Sequence, residues 1–222
     1  MTDLGSVPVV AAADLADRAE DWPVVHREVR HAGHVTTYVT DTVQSPDGST
    51  LTRDWTEHPG AVGVIALDAE DHVVLVEQYR HPAGFRLFEP PAGLLDVAEE
   101  GWLVGAQREL AEEAMLAADR WDVLVDMFTS PGASGESVRI FLARDLRPVA
   151  RPDGFELEGE EADMSIVRAH LDDLLDGVFA GRLQNPLLVA GCLAAAHALR
   201  TGRELRPADS PWPARAPRPR TH

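Results

Sequence analysis

Glu109, Glu112 and Glu113 stand at i, i+3 and i+4 of a segment that also carries Arg108. If that segment is helical, 3.6 residues per turn bring the three carboxylates to one face. Like charges so close repel, and a hard divalent cation that prefers oxygen ligands turns the repulsion into attraction. One helical turn could therefore support metal-assisted chemistry on an anionic substrate. The same pattern also describes a solvated acidic helix face, which is the commoner use of such a run. Context has to decide between the two.

Immediately upstream lies Glu89-Pro90-Pro91-Ala92-Gly93-Leu94-Leu95, a Pro/Gly turn that could bring a backbone carbonyl and a glycine beside a bound metal. Arg80 ends the run Glu77-Gln78-Tyr79-Arg80, and its guanidinium offers a fixed fork of donors to a phosphate or a ribose. Its competing use is a surface ion pair with Glu77 or Glu89. Glu136 follows Ser130-Pro131-Gly132 and is a candidate to orient substrate or a metal-bound water. The acidic stretch from Glu156 to Asp163 reads as a loop, and most such loops are merely solvated.

Taken from Gly93, the order is Gly93, Glu100, then Arg108-Glu109-Leu110-Ala111-Glu112-Glu113-Ala114-Met115-Leu116. This resembles the Nudix box, G-x5-E-x7-R-E-U-x-E-E-x-G-U with U aliphatic. Six residues separate Gly93 from Glu100 instead of five, which makes Glu99 a substitute candidate for Glu100. Met115 stands where the family has glycine, which puts the usual helix-ending turn in question. The R-E-x-x-E-E core is intact, and the resemblance extends from about Thr52 to Ala195.

Flanking residues resemble the ADP-ribose pyrophosphatase branch: Glu57-His58-Pro59-Gly60-Ala61-Val62, Glu77-Gln78-Tyr79-Arg80, the turn from Glu89 to Leu95, and Pro131 downstream of the box. The resemblance implies an α/β fold, a Nudix α/β/α sandwich with a mixed sheet, preceded by a small N-terminal antiparallel sheet. It implies that Glu109, Glu112, Glu113 and the backbone carbonyl of Ala92 hold Mg2+ or Mn2+ against a diphosphate, with a water oriented for in-line attack. Arg108 would steer the glutamates, Glu161 or next Glu160 would serve as general base, and Arg80, Glu89, Gly93 and Glu136 would contact substrate. A loop glutamate that arrives only with substrate and metals bound limits idle hydrolysis. It further implies a homodimer through the N-terminal sheet, with Arg53 or Trp55 approaching the adenosine from either chain. The expected reaction is hydrolysis of ADP-ribose to AMP and ribose 5-phosphate. The alternatives are another nucleoside-diphosphate sugar, dinucleotide or oxidised nucleotide, or a non-catalytic ADP-ribose sensor.

The elements needed to position these groups can be placed along the chain. Residues 1 to about 20 read as a short helix or a mobile arm, and Val24 to about Trp55 as a small antiparallel sheet turning at Ser45-Pro46-Asp47-Gly48. Ala61 to Leu67 and His72 to Val76 read as a hairpin, and Gly101 to Met115 as a helix with Leu103, Ala106, Leu110 and Ala114 at helical spacing. Strands are expected at Trp121 to Phe128, Ser137 to Ala143 and about Met164 to Ala169. Helices are expected at Leu171 to Ala180 and Pro186 to Arg200, the latter capped by Asn185. Arg206 to His222, rich in proline and arginine, should lack regular structure. The expected division is 1–57 for the arm and dimerising sheet, 58–204 for the hydrolase domain and 205–222 for the tail.

Composition sets the partners. Asp and Glu number 37 against 20 Lys and Arg, a formal charge of -17 that disfavours nucleic acid and acidic membrane surfaces. A polyanionic substrate then needs metal ions or a few placed arginines. The single cysteine, Cys192, excludes an intramolecular disulfide framework and a cysteine-rich zinc site; it sits in an apolar run and reads as a buried structural thiol. With no secretory pattern at the N-terminus and no membrane-spanning run, a cytoplasmic protein is expected.

Overall fold

The computed structural model describes residues 3–97, 100–152 and 163–215. Three antiparallel strands, β1 (Val24–Ala32), β2 (Thr37–Gln44) and β3 (Thr50–Glu57), form the small N-terminal sheet in that order. The second sheet is built from β4 (Ala61–Leu67), β5 (His72–Arg80), β6 (Phe85–Glu89), β7 (Ala92–Leu94), β8 (Leu116–Phe128), β9 (Ser137–Pro148), β10 (Ser165–His170) and β11 (Arg206–Pro207). Its order is β10-β5-β4-β9-β8-β11, with β6 on β5 and β7 on β4. β4 and β9 run parallel while the other pairs are antiparallel, so the sheet is mixed.

Every residue of β4 is buried, as expected of a strand covered on both faces. The alternation of a strand sends Val62, Val64 and Ala66 toward helix α1 (Trp102–Ala114), where they meet Ala106, Leu110 and Ala114. It sends Ile65 and Leu67 to the opposite face, against helices α2 (Leu171–Phe179) and α3 (Pro186–Thr201) through Leu174, Leu188, Cys192 and Ala195. The result is the expected α/β/α sandwich. Asn185 caps α3 by accepting from the Leu188 N–H at 2.9 Å, with Pro186 in the first turn. Burial pushes the Cys192 thiol up to about 12, which suits an inert core residue.

The structure departs from expectation, or decides what was left open, in four places. β8 begins at Leu116 rather than Trp121, and β9 continues to Pro148 rather than ending at Ala143. The added residues are Ala-rich and charged, and cross-strand pairing from Leu116↔Pro148 to Arg120↔Arg144 makes them strand. Strand β6 closes a hairpin with β5 that was not expected, from Arg80↔Phe85 to Val76↔Glu89, and β7 arises within what read as a turn, through pairing with β4 about 30 residues earlier. Near the N-terminus only two short 3-10 turns form, Leu4–Ser6 and Ala12–Asp14, both without buried residues. The described part of the proline-rich tail is ordered: β11 pairs with β8, and Trp212 is buried within its own chain. No helix among the described residues is long and apolar enough to cross a membrane.

Met115 ends α1 in the left-handed region, φ 54° and ψ 40°, and its N–H reaches back to the carbonyls of Leu110 and Ala111. The helix-ending turn is therefore made without the glycine that suits it. A left-handed conformation costs a residue with a Cβ about 1–2 kcal/mol, and the Met115 side chain, 39% exposed, has little packing to lose. Met115→Gly is expected to raise stability by about 1 kcal/mol in urea unfolding, with an unchanged m-value.

Candidate active site

Packing of Ala106, Leu110 and Ala114 on the sheet turns the flank bearing Glu109 and Glu113 toward β7 and the turn before it. Glu113 is buried, and its carboxylate accepts from the Ala92 N–H at 2.9 Å. Glu109 lies directly against Gly93: a Cβ there would stand 1.9 Å from the Glu109 carboxyl carbon. Arg108 donates from Nη1 to Glu109 at 2.6 Å and Glu112 at 2.9 Å, and from Nε and Nη2 to Glu100 at 3.0 and 3.1 Å. Hydrogen bonding to Glu100 is the chief cause raising the Arg108 pKa above its ordinary value, against desolvation, so this guanidinium stays charged.

Two expectations are refined here. The extra residue after Gly93 leaves Glu100 in place as a partner of Arg108; Glu99 lies outside the described residues. The mutual repulsion of the helix carboxylates, assigned to a cation on sequence grounds, is already offset in part by Arg108. Among the described residues no three carboxylate, imidazole or thiol groups are gathered closely enough to enclose a metal ion. The donor set nevertheless fits a hard cation: Glu109, Glu112, Glu113 and the backbone of Ala92 line one cleft and offer oxygen.

That cleft has a volume of about 720 Å³. Across it from α1 stand Arg80, Glu89, Gln78, His58 and Glu136. Arg80 forks onto Glu89 with contacts of 3.0, 3.2 and 2.7 Å, and Gln78 adds a fourth at 3.1 Å. The ion pair with Glu89, the competing use of Arg80, is thus present, and it accounts for Glu89 being only 2% exposed. Arg80 keeps 43% of its side chain exposed and lines the cleft. Glu89 is the group that aims Arg80. Glu136 also lines the cleft, and the Thr129 hydroxyl donates to its carboxylate.

His58, like Gln78, is a cleft residue that sequence reasoning missed. Its Nδ1 accepts from the Gly60 N–H at 3.0 Å, so the neutral ring carries its proton on Nε2, which lies 3.6 Å from Glu136. Its place just before Pro59-Gly60 was a usable signal, since a turn glycine offers an N–H to a side chain two residues back. The pairing with Glu136 was not readable, because it depends on the β8–β9 loop docking on the end of β3. Thr56 bonds twice across that junction, its N–H donating to the Ala133 carbonyl and its carbonyl accepting from the Gly135 N–H.

Other expected residues stay apart from the cleft. Arg53 and Trp55 share one face of β3 and line neighbouring recesses, the first with Pro131 and the loop after β8. The Trp55 indole donates to Asp41 at 2.9 Å, and the Arg27 guanidinium lies 5.5 Å from its ring centre. Within one chain neither Arg53 nor Trp55 joins the glutamates. Glu160 and Glu161 lie outside the described residues.

A model of the NUDIX domain matches residues 57–178, more than half of the chain. The chain belongs to the Nudix family. It is 44% identical to an ADP-ribose pyrophosphatase of Mycobacterium tuberculosis over 86% of this chain and 91% of that protein. It is 34% identical to a methanol dehydrogenase activator of Bacillus methanolicus over 68% of this chain and 80% of that protein. Its Nudix fold is similar to the crystal structure of an ADP compounds hydrolase, with a TM-score of 0.68 and 19% identity, covering 84% of this chain and 98% of the other. The turn Gly93, the partner Glu100 and the Arg108-to-Glu113 segment are therefore a Nudix box in sequence and in placement.

Proposed function

We propose that this Nudix protein hydrolyses the diphosphate of ADP-ribose to AMP and ribose 5-phosphate with Mg2+ or Mn2+. The observation that carries the reading is the box itself: Glu109, Glu112 and Glu113 face one cleft with Arg80 on its far wall, in a chain largely alignable with a named ADP-ribose pyrophosphatase. When bound, a divalent cation would neutralise charge on the diphosphate oxygens and lower the pKa of an attacking water. Glu109, Glu112, Glu113 and the Ala92 carbonyl are its holders in this reading, and Arg108 keeps Glu109 and Glu112 oriented without touching substrate.

Arg80, aimed by Glu89, binds a phosphate or the terminal ribose, and Gly93, whose missing side chain leaves room for the Glu109 carboxylate, contacts substrate through its backbone. Glu136 orients substrate or a water. Glu161, with Glu160 as the next candidate, accepts the proton of the attacking water. The sheet β1–β3 is the proposed dimer interface, from which Arg53 and Trp55 reach the adenosine of either subunit. The division into 1–57, 58–204 and a tail of 205–222, and a cytoplasmic location, complete the reading.

A substrate panel tests it. Release of AMP from ADP-ribose should outpace turnover of other nucleoside-diphosphate sugars, dinucleotides and oxidised nucleotides; equal or slower release rejects the assignment. Chelation should remove activity without altering far-UV circular dichroism, and Mg2+ or Mn2+ should restore it. Arg80→Ala should raise KM for ADP-ribose about tenfold or more with a smaller change in kcat, as expected for loss of a charge-assisted fork made in the ground state. An unchanged KM would leave Arg80 with the Glu89 ion pair alone.

A further inference from the structure

Arg139 on β9 is fully buried, 0% exposed, and lies far along the chain from the box. Its Nε and Nη2 donate to Asp126 at 2.7 and 2.9 Å, its Nη1 to the Ser210 carbonyl at 2.7 Å, and its Nη2 also to the Pro211 carbonyl at 3.0 Å. Two indoles flank it: the guanidinium carbon is 5.2 Å from the Trp102 ring centre and 4.9 Å from that of Trp212. The two rings meet edge to face at 5.3 Å. A buried guanidinium is tolerated only when its charge is paired and its donors are used, and here the C-terminal segment supplies two of the acceptors.

Trp102 is the first residue of α1. The cap position, Gly101, makes no side-chain hydrogen bond, and the first turn has no acidic residue to favour the helix dipole. What fixes this end of the helix is the packing of the Trp102 ring on Trp212 and Arg139. Glu100, two residues earlier, is the carboxylate that grips Arg108, and Arg108 in turn holds Glu109 and Glu112. The segment is also fastened on either side of Trp212: Arg206 donates to Asp126 at 2.7 Å, and Arg215 donates to the Pro59 carbonyl next to His58.

We propose that Arg206–Arg215 is a strap that positions the catalytic helix. Trp212, with Arg139, sets the first turn of α1 and through it the Glu100–Arg108 grip on the box glutamates. Trp212 is a positioning residue, and the proposal rests on the assignment of the box cleft as the active site. The indole N–H of Trp212 is buried without a partner among the described residues, so its ring acts by packing and phenylalanine can replace it.

The test compares Trp212→Ala, Trp212→Leu and Trp212→Phe in the full-length protein, alone and combined with Glu100→Gln. Trp212→Ala is expected to lower kcat for ADP-ribose about 10- to 100-fold with KM little changed, since a small misplacement of catalytic groups has effects of that order. Trp212→Phe should restore most of the rate. In the double variant with Glu100→Gln the two losses should fall well short of multiplying, because both act through Arg108. Hydrogen exchange at the Gly105 amide, which bonds to the Gly101 carbonyl at 2.9 Å, should quicken in Trp212→Ala and not in Trp212→Phe. Should Trp212→Ala not fold, Trp212→Leu carries the same comparison. Fully multiplicative losses, or unchanged exchange in the first turn of α1, would overturn the strap. If wild-type protein does not cleave ADP-ribose, the substrate assignment fails and the exchange measurement still decides the strap.

Discussion

Glu113→Gln is expected to lower kcat for ADP-ribose by about 10³-fold, at the upper end of losses seen when one preorganised electrostatic group is removed. The fold should survive. Glu113 is buried and accepts from the Ala92 N–H at 2.9 Å, and the carbonyl of a glutamine can accept the same bond. The substitution also removes one of three neighbouring negative charges, so thermal stability without metal should hold or rise. The comparison therefore separates a missing charge from a missing structure: a rate within tenfold of wild type would mean that Glu113 holds no metal needed for the reaction.

Gly93→Ala should cost about 100-fold in kcat, because the new methyl and the Glu109 carboxylate cannot occupy the same space. At Gly93 a Cβ would stand 1.9 Å from both the carboxyl carbon and one carboxylate oxygen of Glu109, and 2.4 Å from its Cγ. Glu109 must swing away, losing the 2.6 Å bond from Arg108. An overpacked contact of this kind also lowers stability by about 1–3 kcal/mol. Steady-state kinetics with a metal titration would show a lower maximum rate and a higher metal requirement, and urea unfolding would give the stability change. Retention of full activity would show that Glu109 need not lie where the structure puts it. The glycine at this position then has a steric reason, the close approach of a carboxylate to backbone.

Much of the site follows from local rules. Helical spacing alone puts Glu109, Glu112 and Glu113 on one face, and apolar residues at Ala106, Leu110 and Ala114 decide which face meets the sheet. The all-apolar run Ala61 to Leu67 announces a strand buried on both sides, from which two layers of helix follow. Two of the box's departures were legible as questions and were answered by geometry. Met115 keeps the left-handed turn at an energetic cost, and Glu100 keeps its hold on Arg108 across the lengthened loop.

What stayed hidden depended on which pairings the fold makes. The Arg80 fork had two candidate acceptors, and only the pairing of β6 with β5 selects Glu89. His58 meets Glu136 because the β8–β9 loop bonds to Thr56. The proline- and arginine-rich tail read as irregular because its order comes from a cation on β9 and an indole on α1, neither of which leaves a mark on the tail's own composition.

The amino-acid order by itself therefore determined the shared face of the three carboxylates and the layers that carry them, which rest on periodicity within a dozen or so residues, while the resemblance to the Nudix box picked out the glycine before them. Tertiary structure decided which arginine offsets which carboxylate, which histidine enters the cleft, and where the C-terminal chain lies. Those choices are pairings across the chain, and a charge or a ring names its class of partner without naming which one the fold will bring within reach.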